Sequence, residues 1–194
     1  HRSWREVLRA TKGRRRIVKL VIAVVVVVAA ALALRTYVVA PYYIPSQSME
    51  PTLHGCKGCN DDHVLVDKLS YRFHQPHAGD IVVFDKPKKL PDDDPVLIKR
   101  VIGVGGDLLV LKHGLVYING RRIKEPYINK ACPPRSSTPL TGKSRWQIPT
   151  DDVFVMGDNR CESEDSRFFG PIPDSSIIGR AFVIVWPLKR FSFL

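Results

Sequence analysis

Leu20 to Leu34 reads LVIAVVVVVAAALAL, fifteen consecutive residues without a polar group, directly behind a dense run of positive charge. A helix through such a stretch has no polar face, so it suits a bilayer or a buried core rather than a protein surface. Fifteen residues fall short of the roughly 20 needed to cross about 30 Å of hydrocarbon. Ile17 and Val18 before it, and Tyr37 to Ala40 beyond Arg35, extend the apolar band to a workable length. Lys19 and Arg35 would then snorkel to the two interfaces. The expectation is a basic cytoplasmic tail over 1–16 and a transmembrane anchor with its juxtamembrane segment over 17–40. A cleaved secretory signal is the alternative, with Ala31-Leu32-Ala33 as its small-residue site. The flanking charge argues against a buried core helix. Because the chain starts at His1, further residues are expected to precede it.

Charge supports the membrane reading. Of the formal net charge of +11, residues 1–19 supply +7, from eight basic residues against Glu6 alone. Basicity confined to a tail fits an anionic membrane surface and argues against nucleic acid as a partner. The positive-inside rule places the tail in the cytoplasm and everything beyond residue 40 outside. Four cysteines suit an oxidising compartment. Cys56 and Cys59 form a single C-x-x-C, whereas zinc favours two such pairs. Among the three connectivities, Cys56–Cys59 with Cys132–Cys161 is favoured.

After the anchor the chain reads as strands separated by turns. Segments near 61–68, 79–84, 96–104, 107–123, 152–158 and 177–186 are rich in Val, Ile and Phe, and several alternate with period two. Lys112-His113-Gly114 and Asn119-Gly120 have the composition of hairpin turns. Residues 124–150 carry five prolines among many Ser and Thr, and read as an irregular lobe. The fold expected is mainly β: an antiparallel catalytic core over 41–105 plus 152–194, with a smaller subdomain over 106–151 inserted into it, preceded by one N-terminal transmembrane helix.

Two glycine-containing motifs are decoys. Gly142-Lys143-Ser144 lacks the upstream glycine of a phosphate-binding loop, since Ser137 stands there. Gly103-Val104-Gly105-Gly106 follows a strand but opens no helix. The six histidines show no metal-ligand spacing, and no metal or cofactor is implied.

Three segments carry chemistry. Ile44 to Leu53 holds two prolines and three hydroxyl residues about ten positions beyond the anchor, a stiff polar corner that alone would pass for a linker. In VLIKRVIGVGG, Lys99 and Arg100 are adjacent inside an apolar strand, so they face opposite sides. If Lys99 is the inward one, flanked by Leu97 and Val101, desolvation lowers its pKa and leaves an amine able to accept a proton. A neutral lysine beside a serine hydroxyl activates a nucleophile without histidine. The third segment, Gly157 to Pro171, is polar, follows the strand VFVM, and has closely spaced Asp and Arg as in a loop ordered by ion pairs.

Taken in order, PSQSMEPTL at 45–53, GDIVVF at 79–84, KRVIGVGGD at 99–107 and GDNRCESEDSRFFGPI at 157–172 resemble the sequence boxes of type I signal peptidases, the bacterial leader peptidases of the serine–lysine class. The single anchor and the C-x-x-C insertion look more like Gram-positive actinobacterial members than like those with two helices. Gln47, where glycine is frequent, and Cys161-Glu162 are mild departures. The resemblance implies Ser48 as nucleophile and Lys99 as general base. It implies an oxyanion hole from the Ser46 hydroxyl and the Ser48 N–H, Ser163 as the residue that orients the lysine, and Asp158, Asp165 and Arg167 as structural support. It also implies an endopeptidase that removes signal peptides from exported preproteins after small residues, without cofactor or metal, on the outer face of the plasma membrane. Its partners would be preproteins and the lipid bilayer, with no required protein partner. Two other readings compete: a self-cleaving serine–lysine protease of the repressor type, and a membrane-tethered β domain that only binds surface proteins.

Overall fold

The computed structural model describes residues 17–32, 38–56, 61–88, 90, 95–132 and 142–194. Residues 17–32 form a helix, α1, with exposed apolar side chains along its length. At 1.5 Å per residue it is about 24 Å long, and no helix of the described residues is long and apolar enough to cross a membrane. Within the anchor expected over 17–40, residues 17–32 are helical and Val39 begins a strand. Residues 1–16, and 33–37 with Arg35, lie outside the described residues. Contacts divide the chain after Val39, and Ala40–Leu194 forms one compact unit.

Two sheets make up the β structure. The larger contains β1 (Val39–Tyr43), β2 (His63–Asp67), β3 (Ile81–Asp85), β4 (Val96–Gly103), β9 (Asp152–Met156), β10 (Ile172–Pro173), β11 (Ile177–Trp186) and β12 (Ser192–Phe193). Its order is β1-β2-β11-β3-β4-β9-β10, with β12 pairing β11. The registered pairs between its strands are antiparallel. β3 is central and buried at four consecutive positions, Ile81 to Phe84, which explains an uninterrupted apolar run where one-sided burial would give alternation.

The smaller sheet orders β7 (Arg121–Arg122), β6 (Leu115–Ile118), β5 (Leu108–Lys112) and β8 (Arg145–Gln147). β5 and β6 are joined through His113 and Gly114, and β6 and β7 through Asn119 and Gly120, all four at positive φ. Positive φ at both central residues is what a two-residue hairpin of right-handed twist requires. Leu109, Leu111, Val116 and Trp146 on one face of this sheet pack with Ile102, Phe154 and Met156 of the larger one. The rings of Trp146 and Phe154 lie 5.0 Å apart.

Two further apolar clusters position the site. Met49 and Leu53 are wholly buried with Ile44, Val64, Val66, Ile81, Val83 and Ile184. Val82, Phe84, Val101, Val153, Val155 and Ile172 form the other, with Leu97 packed against them. Five elements were not anticipated from the sequence: β1, β8, the short strands β10 and β12, and a four-residue helix α2 (Ser166–Phe169).

Candidate active site

Ser48 lies in a single 3-10 turn, Gln47–Met49. Its neighbour Met49 is fully buried in the core, so the serine is pinned by packing one residue away. β4 delivers Lys99 to the same place from 51 positions along the chain. The register pairs Lys99 with Val82 and Leu97 with Phe84, so alternation puts Lys99 on the face carrying Leu97 and Val101.

The amine is 3% exposed, and Lys99 Nζ lies 2.8 Å from Ser48 Oγ and 3.0 Å from the Ile98 carbonyl oxygen. These are its two hydrogen-bond acceptors, and neither is a carboxylate. An ammonium there would be desolvated with a proton unsatisfied. Burial accordingly pushes the Lys99 pKa down to about 8, against the upward pull of the Asp165, Glu164 and Asp158 charges and with help from Arg167. A neutral amine there would keep a nitrogen lone pair beside the Ser48 hydroxyl. Ser46 Oγ is 3.1 Å from Ser48 Oγ, which places a second hydroxyl beside the atom that would attack.

The loop that follows β9 closes over this pair. Asp165 accepts hydrogen bonds from the Gly157 N–H at 2.9 Å and from Ser163 Oγ at 2.8 Å. It also takes the forked Arg167 guanidinium at 2.7 and 2.8 Å, and it caps α2 through the Arg167 N–H. The other guanidinium contacts of Arg167 reach the carbonyls of Arg160 and Ser163. This buried ion pair is bidentate and further bonded, the condition under which such a pair holds geometry rather than only costing desolvation. Ser163 is brought to the site, but its hydroxyl is bonded to Asp165, and no Lys99–Ser163 hydrogen bond is formed.

Arg100 and Asp158 hold the other side of β4. The Arg100 guanidinium donates to both Asp158 oxygens at 2.9 and 2.7 Å and to the Gly79 carbonyl at 2.8 Å. It also stacks 4.1 Å above the Tyr127 ring. Thr52, four residues past the serine, donates its hydroxyl to the same carboxylate.

Two residues at the site were missed from the sequence. A Cβ on Gly157 would lie 2.3 Å from Ser163 Oγ and 2.4 Å from the Ser48 carbonyl oxygen, so only glycine allows this approach. Asn159 donates its backbone N–H to Ser48 O and its side-chain amide to Gln47 O, both at 3.1 Å. The glycine opening the fourth box was a usable signal; nothing in the pattern marked Asn159.

Beside the serine and lysine runs a groove of about 430 Å³, walled by Tyr42, Ile44, Val83, Val96, Leu97 and Ile98 and ending at Ser46 and Lys99. β4 pairs with β3 from Val96 onward but with β9 only from Arg100, so the groove side of 96–99 has no strand partner among the described residues. Cys132 and Cys161 form a disulfide. Cys56 is disulfide-bonded as well, and its expected partner Cys59 lies outside the described residues. No group of three or more potential metal ligands occurs among the described residues.

A serine hydroxyl against a desolvated amine, at the end of an apolar groove beside an open strand edge, is the arrangement of a serine peptidase that works without histidine. Residues 17–186 match the family model described as signal peptidase, peptidase S26, and the chain belongs to that family of serine endopeptidases. It is 36% identical to a probable signal peptidase I of Mycobacterium leprae, over 80% of this chain and 71% of that one. It is 39% identical to signal peptidase I of Mycobacterium tuberculosis H37Rv, over 80% and 68%. The figures for signal peptidase I of Leptolyngbya laminosa are 41%, 84% and 77%. Among solved structures, a signal peptidase I from Enterococcus faecalis V583 aligns with 55% of this chain and 97% of that chain, at 28% identity and a TM-score of 0.43.

Proposed function

We propose that this chain removes N-terminal signal peptides from exported preproteins, with Ser48 as nucleophile and neutral Lys99 as general base. The observation that carries the reading is the 2.8 Å contact between a buried amine and a buried serine hydroxyl. Lys99 takes the Ser48 proton as Oγ attacks the scissile carbonyl. The resulting ammonium then protonates the leaving amine, and the freed base activates water against the acyl-enzyme. The Ser48 N–H and the Ser46 hydroxyl hold the oxyanion. Ser163 gives its own proton to Asp165, which leaves oxygen lone pairs free to accept from the amine and orient it. Asp158, Asp165 and Arg167 brace the site.

The substrate enters as an extended strand against the open 96–99 edge of β4, the usual way a sheet edge takes a peptide. The branched and aromatic walls at Tyr42, Ile44, Val83 and Leu97 favour apolar side chains, and the family's preference is for small ones just before the cut. The enzyme sits in the plasma membrane with the N-terminus cytoplasmic and the β core outside. The basic tail, the apolar side chains of α1, the disulfides and the family support this placement. Within Ala40–Leu194, residues 41–105 and 152–194 act as the catalytic core and 106–151 as its inserted subdomain.

The test is cleavage of a signal-peptide substrate in detergent or lipid by the intact chain, by Ser48→Ala and by Lys99→Ala. Cutting after a small residue by the intact chain, lost in both variants, is expected. Activity that survives Ser48→Ala sinks the assignment of the nucleophile.

A further inference from the structure

The loop from Gly157 to Asp165 faces two ways. Inward, Asn159 donates to the carbonyls of Gln47 and Ser48, bracing the turn that presents the nucleophile. Outward, beyond the Asp158 carboxylate held by Arg100 and Thr52, its neighbours are tied to the segment Glu125 to Cys132. The Asn129 N–H donates to the Asp158 carbonyl at 3.0 Å, the nearly buried Arg160 guanidinium pairs with Glu125, and Cys161 is bonded to Cys132. Loop positions 158, 160 and 161 are thus held from outside while 159 grips the turn from within. Of these ties only the disulfide is covalent. It closes 29 positions of chain, and Cys161 is exposed, so no core packing duplicates its hold on the end of the loop.

We propose that the Cys132–Cys161 disulfide is a positioning element for the reaction. It keeps the 157–161 loop seated, so that Asn159 holds Ser48 in line with Lys99, and its loss slows turnover rather than binding. The peptide groove is lined by β1 and its following turn, β3 and β4, and neither cysteine is among its lining residues, so affinity is spared. The proposal rests on the serine–lysine reading above. It predicts that the disulfide and Asn159 act as one unit, because the first matters through the second.

The experiment uses the full chain in detergent micelles with an internally quenched signal-peptide substrate, well below the Tm of every variant. The variants are Cys132→Ala/Cys161→Ala, Asn159→Ala and all three substitutions together. The cysteine pair should lower kcat about tenfold with KM within about twofold, since sub-ångström to 1 Å misplacement costs up to about 10²-fold. Adding Asn159→Ala to the cysteine variant should cost far less than Asn159→Ala does alone, the non-additivity expected of coupled groups. A brace that only supports overall stability would lower Tm and leave kcat unchanged, or give effects that multiply independently; either result overturns the proposal. If the cysteine variant does not fold, a Cys56→Ala/Cys59→Ala protein, which keeps only the Cys132–Cys161 bond, is reduced with a phosphine once folded, and kcat is followed alongside circular dichroism. Hydrogen exchange at the Asn159 amide is read in the same samples. Faster exchange there with unchanged exchange in β3 is expected, and equal protection before and after reduction overturns it. An intact chain that does not cleave at all overturns the protease reading and this proposal with it, whereas an active chain indifferent to the disulfide removes this proposal alone.

Discussion

Titrating the lysine tests the chemistry most directly. With a pKa of about 8 for Lys99, about one tenth of the amine is neutral at pH 7 and about nine tenths at pH 9. If the neutral amine is the base, kcat/KM rises about tenfold across that interval and levels off above it. A lysine at its ordinary value near 10.4 would give about a hundredfold rise over the same interval, still climbing at pH 10. The assay is kcat/KM for a quenched peptide from pH 6 to 11 in micelles, with folding checked at each pH. Glu164 is exposed and its charge raises the Lys99 pKa, so Glu164→Gln should move the limb to lower pH. Stability supplies a second arm. The folded-state pKa lies below the unfolded one, so between about pH 8 and 10.5 the unfolded chain binds the extra proton and stability rises with pH. The span of the shift corresponds to roughly 3 kcal/mol. Lys99→Met, which fills the same space without charge, should therefore be inactive yet unfold at higher denaturant than the native chain at pH 7, with that advantage shrinking towards pH 10. A rate limb near 10, or a methionine variant less stable than native at pH 7, refutes the argument that burial makes this base.

Removing the second hydroxyl by Ser46→Ala should lower kcat by about 10²–10³ and leave KM nearly unchanged, as when one oxyanion donor is lost; steady-state kinetics read this. Asp158→Ala strands the Arg100 guanidinium, and breaking such a buried pair costs about 3–5 kcal/mol, which should appear as a lower denaturant midpoint. Gly157→Ala forces a methyl group into the Ser48 carbonyl and the Ser163 side chain; kcat should fall by about 10²-fold with far-UV circular dichroism retained. Native-like turnover by this variant would contradict the close approach of loop and nucleophile.

Much of the sheet was legible because burial writes itself into strands directly. β3, β4, β9 and β11 are runs of Val, Ile and Phe bounded by Gly, Asp or Pro. β1 was hidden by its own composition. Val39 to Tyr43 is apolar, contains Pro41 and continues the anchor's hydrophobic band, so nothing local separates it from the anchor. Its place at the end of the sheet order, where a missing N–H costs no ladder bond, is what makes the proline acceptable. β8 was hidden by surroundings: one buried Trp146 decides it, between exposed Arg145 and Gln147 in a proline-rich stretch. At the site, Ser48 and Lys99 came from the boxes, and the adjacency of Lys99 and Arg100 could be reasoned from strand alternation. The grip of Asn159 could not, because it depends on a loop folding back onto residues 112 positions earlier; nor could the choice of Asp165 as partner for Ser163, which depends on the local path of the loop.

The neighbouring cations of β4 carry a consequence for how the chain must fold. A slip of one residue against β3 would turn both to the opposite faces, and in one direction it would set the Arg100 guanidinium against Ser48 while carrying Lys99 away from it. Arginine stays protonated at any workable pH, so a mispaired molecule could be well packed and catalytically dead. Turnover per molecule is thus a gauge of strand alignment. A preparation with full secondary structure and fractional activity would hold a mixture of registers, and only the correctly threaded fraction would be a protease.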